Sequence, residues 1–346
     1  CGLLHEVWSD EDRAAGAAWV RSMHVGREQY RDPALVERPS PDWPADQPWP
    51  SESMLGAMNA YARVVLGYCV DGLSSLPPSQ PPPGWPQADA DPADMVAWIR
   101  ARPFDKNAWG SGSHTKGMIT HMLQWHRDGR LTLDPVIDAI GFLYDIQDPS
   151  TGLWGTADQP LNVRINGTFK LLTLLRESLK LPIPQVEAMI DAVASEFDRS
   201  DYETNVSACD EWDNLYVLAL AAEQANDAQV ARVREISEHR LLRSLVLFSQ
   251  PDGGFSFTRN RCQHDWVGFD MAPRRPQADA MGLGVLSSGI NVCVDLLGLH
   301  DASPWTGVWR LRDPEPTTVR EVIRRGLVER GHDWLDRPQA REASLL

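Results

Sequence analysis

The chain is poor in cysteine and in basic residues, and both shortages exclude some classes of structure and function. Its 346 residues include five cysteines, which are scattered and form no CxxC pair. This argues against a disulfide framework or a zinc ribbon, and makes a reducing cytoplasm the default compartment. The 33 Lys and Arg residues are outnumbered by 48 Asp and Glu residues, which gives a formal net charge of −15. Binding to nucleic acid or to an anionic membrane surface is therefore not expected.

Several common sequence signals are also missing. The start lacks the basic and then apolar segments of a signal peptide, although a chain that begins at Cys1 is compatible with trimming, which leaves the compartment open. The longest apolar stretch, 281–299, is interrupted by Ser287, Asn291 and Asp295, so we interpret it as a buried helix rather than a membrane span. No Walker loop, dinucleotide-binding glycine pattern or nucleophile elbow occurs, and no cofactor is predicted.

Helical periodicity is abundant, whereas no alternating run is long enough to predict a strand. The predicted helices span roughly 9–24, 52–69, 92–101, 113–127, 134–147, 165–180, 184–198, 211–225, 227–249, 279–299 and 316–331. Some of them, such as the part at 215–222, are apolar nearly all round, while others are apolar on one side only. Fully buried helices that alternate with half-exposed ones predict an all-α fold, specifically a closed ring of helical hairpins, an α/α toroid.

Proline-rich segments set the N-terminal part apart. The stretch at 76–92 is either a linker or a strap laid across the surface, and its Trp85 favours the strap, since a mobile tail seldom needs a tryptophan. The predicted organisation is N-terminal helices with the strap over 1–91, the toroid over 92–331 and a C-terminal tail over 332–346. No oligomeric state is predicted.

One kind of turn occurs twice. The apolar run before SQPDGGFSF (249–257) and the run before DPSTGLWG (148–155) both end in proline, a turn residue, glycine and an aromatic residue. The two prolines lie about 100 residues apart, close to twice the length of a helical hairpin, as in repeat architectures. Because Phe255 and Phe257 replace the polar residues of a surface turn, we expect them to face the interior of the ring.

QPDGGFSF, the helical hairpins and the glycine-bearing apolar helix at 281–299 together resemble the α/α-toroid superfamily. That superfamily includes terpenoid cyclases, protein prenyltransferase β subunits, and (α/α)-barrel glycoside hydrolases and polysaccharide lyases. The resemblance covers roughly 92–300. Its motif of glutamine, two glycines and an aromatic residue is mainly a stability feature there, so the resemblance implies the fold more than the function.

Polar segments precede several of the predicted helices, at 106–114, 152–170, 207–216, 252–266 and 275–282. Helix N-termini offer unbonded N–H groups and a field that favours anionic groups. In a toroid these helix starts converge on one mouth, where a small molecule or an oligosaccharide would bind.

The sharpest of these segments is SACDEWDNLY, in which Asp210, Glu211 and Asp213 surround a tryptophan at a helix start. A buried carboxyl beside another carboxyl has a raised pKa, as a general acid needs. The alternative is structural: Asp210 caps the helix and the other acids occupy its first turn.

The leading hypothesis is a carbohydrate-active enzyme of the glycoside hydrolase or polysaccharide lyase type, because two carboxyls across an aromatic-lined groove cleave glycosidic bonds and the chain has 14 tryptophans. Besides the three acids, the predicted catalytic residues are His114, His264 and Asp279. The predicted substrate-binding residues are Asn107, Trp109, Trp154, Asn166, Lys170, Trp212, Phe255 and Trp266.

Two other functions stay open. An isoprenoid cyclase or a prenyltransferase predicts a dry aromatic cavity, but the sequence has no Asp-x-Asp-Asp or DDxxD motif, and the spacing of Cys262, His264 and Asp265 does not match the prenyltransferase zinc site. No metal is therefore predicted. A non-catalytic binding toroid predicts carboxylates that are spread singly and exposed.

Overall fold

The computed structural model describes residues 9–22, 81, 84–263, 265–266, 269–270, 275–299 and 314–336. Over these residues the protein is all-α apart from one very short hairpin. The helices are α1 (Asp10–Ser22), α2 (Pro92–Arg100), α3 (Ala108–Arg127), α4 (Asp134–Asp145), α5 (Leu161–Leu172), α6 (Val186–Phe197), α7 (Tyr202–Asn205), α8 (Ala208–Ala222), α9 (Asp227–Phe248), α10 (Ala280–Leu297) and α11 (Thr317–Glu329). A π-helical segment, Thr173–Ser178, extends α5, and a 3₁₀ turn, Asp333–Asp336, follows α11.

The described residues divide into two compact units. The first takes in those up to Gly84 and those from Cys262 to Arg275. It contains α1, which confirms the helix predicted at 9–24, and an antiparallel hairpin of β1 (Asp265–Trp266) and β2 (Phe269–Asp270). Strands of two residues are too short to leave an alternating pattern in the sequence. The helix predicted at 52–69 lies outside the described residues.

The second unit, Trp85–Arg261 and Pro276 onwards, holds the other helices. Four long helices, α3, α5, α8 and α10, form a row in which each helix packs on the following one: α3 on α5, α5 on α8, and α8 on α10. The helices between them pack on this row or on one another, with α6 and α9 against α8, α9 against α10, and α4 against α2 and α11. The segment 215–222 of α8 is buried all round, as its sequence predicts.

Side-chain caps fix where α3, α8 and α10 begin, whereas α5 begins after Pro160 without one. Asn107 Oδ1 accepts a hydrogen bond from Gly110 N at 2.9 Å, so α3 starts five residues before the predicted start at 113. The glycines and serines of GSGS have low helix propensity. They are nevertheless helical because the backbones of α3 and α5 touch there: a Cβ on Gly167 would lie 2.4 Å from Ala108 O, and a Cβ on Gly112 would lie 2.6 Å from Gly167 O.

The turn 249–257 closes against the starts of α8 and α10. Gly253 has φ +88°, a conformation that glycine adopts without strain. A Cβ on Gly282 would lie 2.1 Å from Ser256 C, so α10 begins directly on the backbone of the turn. Phe257 O accepts a hydrogen bond from Ala208 N at 2.8 Å, which ties in α8. Phe255 and Phe257 are half-buried and cover an apolar cluster that includes Tyr202, Phe248, Leu286 and Ile290.

The turn 148–155 is the corresponding turn in the connection that leads into α5. Gly152 has φ +66°, and the chain then carries Trp154 into the core, where its Nε1 donates to Leu143 O at 2.8 Å. Further along this connection, Gln159 Oε1 accepts a hydrogen bond from Ala108 N at 2.8 Å. The start of α3 therefore lies against the loop that leads into α5.

No helix in the described part of the chain combines the length and the apolar character needed to cross a membrane. Even α10 exposes 49% of Leu283.

Candidate functional site

The candidate site is centred on Asp213, in the second turn of α8. Its side chain is 1% exposed. Its Oδ2 accepts a hydrogen bond from Asn166 Nδ2 of α5 and lies 3.8 Å from the thiol of Cys209, one turn earlier on α8. Asp213 thus joins two neighbouring helices of the row through a polar contact inside an apolar interface.

Burial raises the pKa of Asp213 from 3.8 to about 7. The positive charge of Lys170 acts in the opposite direction, the negative charge of Asp210 adds to the rise, and the hydrogen bonds from Asn166 and Cys209 lower the pKa. Near neutral pH the carboxyl therefore exists in both its protonated and its ionised form. This is the property that a general acid or base needs.

Several buried polar atoms around Asp213 have no hydrogen-bond partner. They are one oxygen each of Asp213 and Asn166, and the indole nitrogen of Trp212. On α3, Ser111 Oγ and Thr115 Oγ1 are in the same condition, and these residues flank the contact of Gly112 with α5. Because an unpaired buried polar group is costly, such a group of donors and acceptors points to a polar ligand or to water.

Aromatic side chains form the other part of the surroundings. The Phe169 ring of α5 meets the rings of Trp212 and Tyr216 edge-to-face, with centroids 5.0 and 4.8 Å apart. Lys170 Nζ lies 4.3 Å from the centroid of the Phe169 ring. Lys170, Cys209 and Trp212 are only half-buried, so the site reaches the surface through them.

Glu211 has a different environment from Asp213. Its side chain is fully buried, and its two oxygens accept hydrogen bonds from Arg240 Nε at 2.8 Å and Arg240 Nη2 at 2.7 Å. Ser244 Oγ and Tyr202 OH donate to the same carboxylate at 2.8 and 2.9 Å. Glu211 is thus held on the α9 side of α8, and the structure does not bring it to Asp213.

The other two predicted carboxyls that are described both cap helices. Asp210 Oδ2 accepts hydrogen bonds from Ser207 N at 3.0 Å and Ser207 Oγ at 2.7 Å, in a capping box at the start of α8. Asp279 caps α10 by accepting from Gly282 N at 2.6 Å, and it also accepts from Phe257 N at 2.8 Å.

His114 lies on α3 beside an aromatic cluster. Its ring centroid is 5.3 Å from Trp85 and 6.4 Å from Trp98 of α2. Burial, together with the positive charge of Arg102, lowers the pKa of His114. Trp85 covers Gly117, whose Cβ would lie 3.0 Å from the indole ring, so this part of the predicted strap is packed on α3.

The remaining predicted residues are dispersed. Asn107 caps α3, Trp109 is 43% exposed, Trp154 is a fully buried core residue, and Phe255 belongs to the apolar cluster under the 249–257 turn. His264 and the side chain of Trp266 lie outside the described residues. Among the side chains that are described, no three His, Cys, Asp or Glu residues are grouped so as to hold a metal ion.

Three residues of the site description were not predicted: Cys209, which contacts Asp213, and Ser111 and Thr115 on the face of α3 that meets α5. Their signal in the sequence is helical spacing, because Cys209 precedes Asp213 by four residues and Ser111 precedes Thr115 by four. No protein-family model, curated protein or solved structure matches the chain.

Proposed function

We propose that the protein is an enzyme that acts on a carbohydrate by proton transfer, with Asp213 as the acid–base residue. One observation carries the proposal: a buried carboxyl with a pKa of about 7 keeps one oxygen without a protein partner. A purely structural carboxyl would be expected to have its charge and both oxygens satisfied. The half-buried Lys170 and Trp212 beside it supply a cation and an apolar ring face for a sugar.

The proposed scaffold is an α/α toroid. The four row helices, α3, α5, α8 and α10, pack in the order expected of consecutive inner helices in such a ring, in which α4, α6 and α9 would take the outer positions. The starts of α3 and α5 meet through Gln159, and the starts of α8 and α10 meet through the 249–257 turn. This arrangement supports the idea that ligand-binding segments gather at one end of the ring.

Elimination fits the site better than hydrolysis does. Hydrolysis needs a second carboxyl across the glycosidic bond, and the other two acids of the motif are engaged, Glu211 with Arg240 and Asp210 with Ser207. Elimination needs one base and a group that stabilises negative charge on the substrate. In this proposal Asn166, which donates to Asp213, and Lys170, whose charge acts on it, take that second role.

In the proposed step a uronate sugar supplies the acidic C–H next to its carboxylate. Ionised Asp213 removes this proton, and the Lys170 ammonium and the Asn166 amide stabilise the enolate that forms. The electron pair then makes a carbon–carbon double bond and expels the glycosidic oxygen, which takes a proton from water. Asp213 returns its proton to solvent before the next cycle.

The test is a panel of uronate polysaccharides with the wild type, Asp213→Asn and Asp94→Asn, the last a control at an exposed position of α2. The ultraviolet absorbance of the new double bond reports cleavage. We expect cleavage by the wild type and the control, and a loss of about 10²- to 10⁴-fold for Asp213→Asn. Equal rates for the two variants, or no cleavage of any member, would contradict the proposal.

A second candidate is an isoprenoid cyclase, and the aromatic contacts of Phe169 with Trp212 and Tyr216 favour it. Aromatic faces stabilise carbocations, and the protonated form of Asp213 would start such a reaction. Incubation with squalene or geranylgeraniol, followed by mass spectrometry, separates the two functions. Cyclised products in the absence of glycan cleavage would replace the first proposal with this one.

A further inference from the structure

A cleft of about 260 Å³ lies beside the loops that lead into α3 and α5, outside the residues of the Asp213 site. Its lining includes Arg102, Phe104, Asp105, Phe142, Ile146 and Thr156. The volume lies just below the usual range of roughly 300–1,000 Å³ for ligand pockets, which suits a compact molecule.

Arg102 gives the cleft a positive charge. Its guanidinium carbon lies 3.9 Å from the ring centroid of Trp98, and its Nε donates to Trp98 O at 3.0 Å. These two contacts hold the guanidinium in place but do not neutralise it. In the described part of the chain no carboxylate forms an ion pair with Arg102, whereas Arg164 and Arg330 do have such partners.

The wall of the cleft is apolar. Phe104 is 7% exposed, and Phe142 of α4 and Ile146, the residue that follows α4, are half-buried. A fixed cation at one side of an apolar cleft suits a ligand with a carboxylate at one end and an apolar body. An arginine fork pairs with a carboxylate through two parallel hydrogen bonds, and the apolar body would gain from leaving water.

We propose that this cleft binds a small aryl carboxylate, with its carboxylate on Arg102 and its ring against Phe104, Phe142 and Ile146. Asp105 also lines the cleft and is exposed. Its negative charge opposes an anionic ligand and sets an upper limit on the affinity. This proposal is independent of the reaction assigned to Asp213.

The experiment is calorimetric titration of the full chain with benzoate, and with benzyl alcohol as a neutral ligand of similar size. We expect saturable binding of benzoate and at least tenfold weaker binding of benzyl alcohol. Because this comparison uses the wild type, it does not depend on the folding of any variant. No saturable binding of benzoate, or equal binding of the alcohol, would overturn the proposal.

Variants then assign the binding to this cleft. Arg102→Gln should weaken benzoate binding at least tenfold, and Asp105→Asn should strengthen it about two- to threefold, since it removes a nearby like charge. Arg232→Gln, at an exposed ion pair on α9, is the control and should bind like the wild type. If Arg102→Gln binds benzoate as tightly as that control, the cleft is not the binding site.

Discussion

Glu211 and Asp213 are two residues apart on α8, and their carboxyl groups face opposite neighbours. Glu211 accepts two hydrogen bonds from Arg240 of α9, whereas Asp213 accepts one from Asn166 of α5 and keeps an oxygen without a partner. The Arg240 guanidinium and the hydroxyls of Ser244 and Tyr202 all donate to one of these carboxyl groups, that of Glu211. The other has no buried cation bonded to it and changes its charge near neutral pH.

Replacing Asp213 by Asn should stabilise the protein at alkaline pH. The pKa of Asp213 is about 7 in the folded protein, above the ordinary value of 3.8, so the unfolded chain loses this proton first as the pH rises. Stability therefore falls between about pH 4 and pH 7, and the full penalty remains above that range. We expect Asp213→Asn to gain on the order of 4 kcal/mol at about pH 8 and nothing below about pH 4.

Urea unfolding of Asp213→Asn at these two pH values measures the gain, with Asp94→Asn as the control. An unchanged free energy of unfolding at alkaline pH would mean that the carboxyl is not penalised by burial. A gain in stability accompanied by a loss of activity would fit a residue that is kept for function.

Removing Arg240 alone should be far more damaging than removing both members of its ion pair. Arg240→Met leaves the fully buried Glu211 carboxylate without its cation, which typically costs about 3–5 kcal/mol. The double variant with Glu211→Leu removes the uncompensated charge and should recover much of that loss. Denaturant unfolding of both variants checks this, and equal destabilisation of the two would contradict it.

A methyl group at Gly167 should force α3 and α5 apart. The added Cβ would lie 2.4 Å from Ala108 O, and the obstacle is backbone, which does not move aside as a side chain does. We expect Gly167→Ala to lower the free energy of unfolding by at least about 1–3 kcal/mol. Gly284→Ala is the control: nothing surrounds its Cβ position on α10, so alanine should stabilise by about 0.5–1 kcal/mol. Thermal unfolding of both variants measures these changes, and equal shifts of their unfolding temperatures would contradict the prediction.

Acid should loosen the packing of Trp85 on α3. Burial, with the positive charge of Arg102, lowers the pKa of His114 below 6.5, so protonation is less favourable in the folded protein than in the unfolded chain. The other titratable ring in contact with Trp85 is that of His121, 6.5 Å away. Stability contributed by neutral His114 is therefore lost as the pH falls through 6.5 and towards the lowered pKa.

Tryptophan fluorescence followed from about pH 8 to pH 5 should show this loosening as a red shift, which His114→Gln reduces. His126→Gln serves as the control, because the His126 ring bonds to Leu131 O and has no contact with Trp85 among the ring pairs described. A shift of the same size in all three proteins would exclude His114 as the cause.

Local patterns predicted much of this fold, and tertiary contacts explain the rest. Caps such as Ser207 with Asp210 are encoded within four residues, so approximate helix starts are readable from the sequence, although α3 and α8 begin five and three residues before their predicted starts. The separation of Glu211 from Asp213 cannot be read from the sequence in this way, because the partner of Glu211 is an arginine 29 residues further along the chain. Trp154 resembled a ligand-binding aromatic, yet the turn at Gly152 carries it into the core.

The start of α10 rests on the backbone of Ser256 and Phe257 with no side chain in between. Phe257 also donates its amide to Asp279 and accepts the amide of Ala208. Neither helix start is able to fray while the turn stays closed, so these amides should exchange their hydrogens with solvent at a common slow rate, as a single cooperative unit.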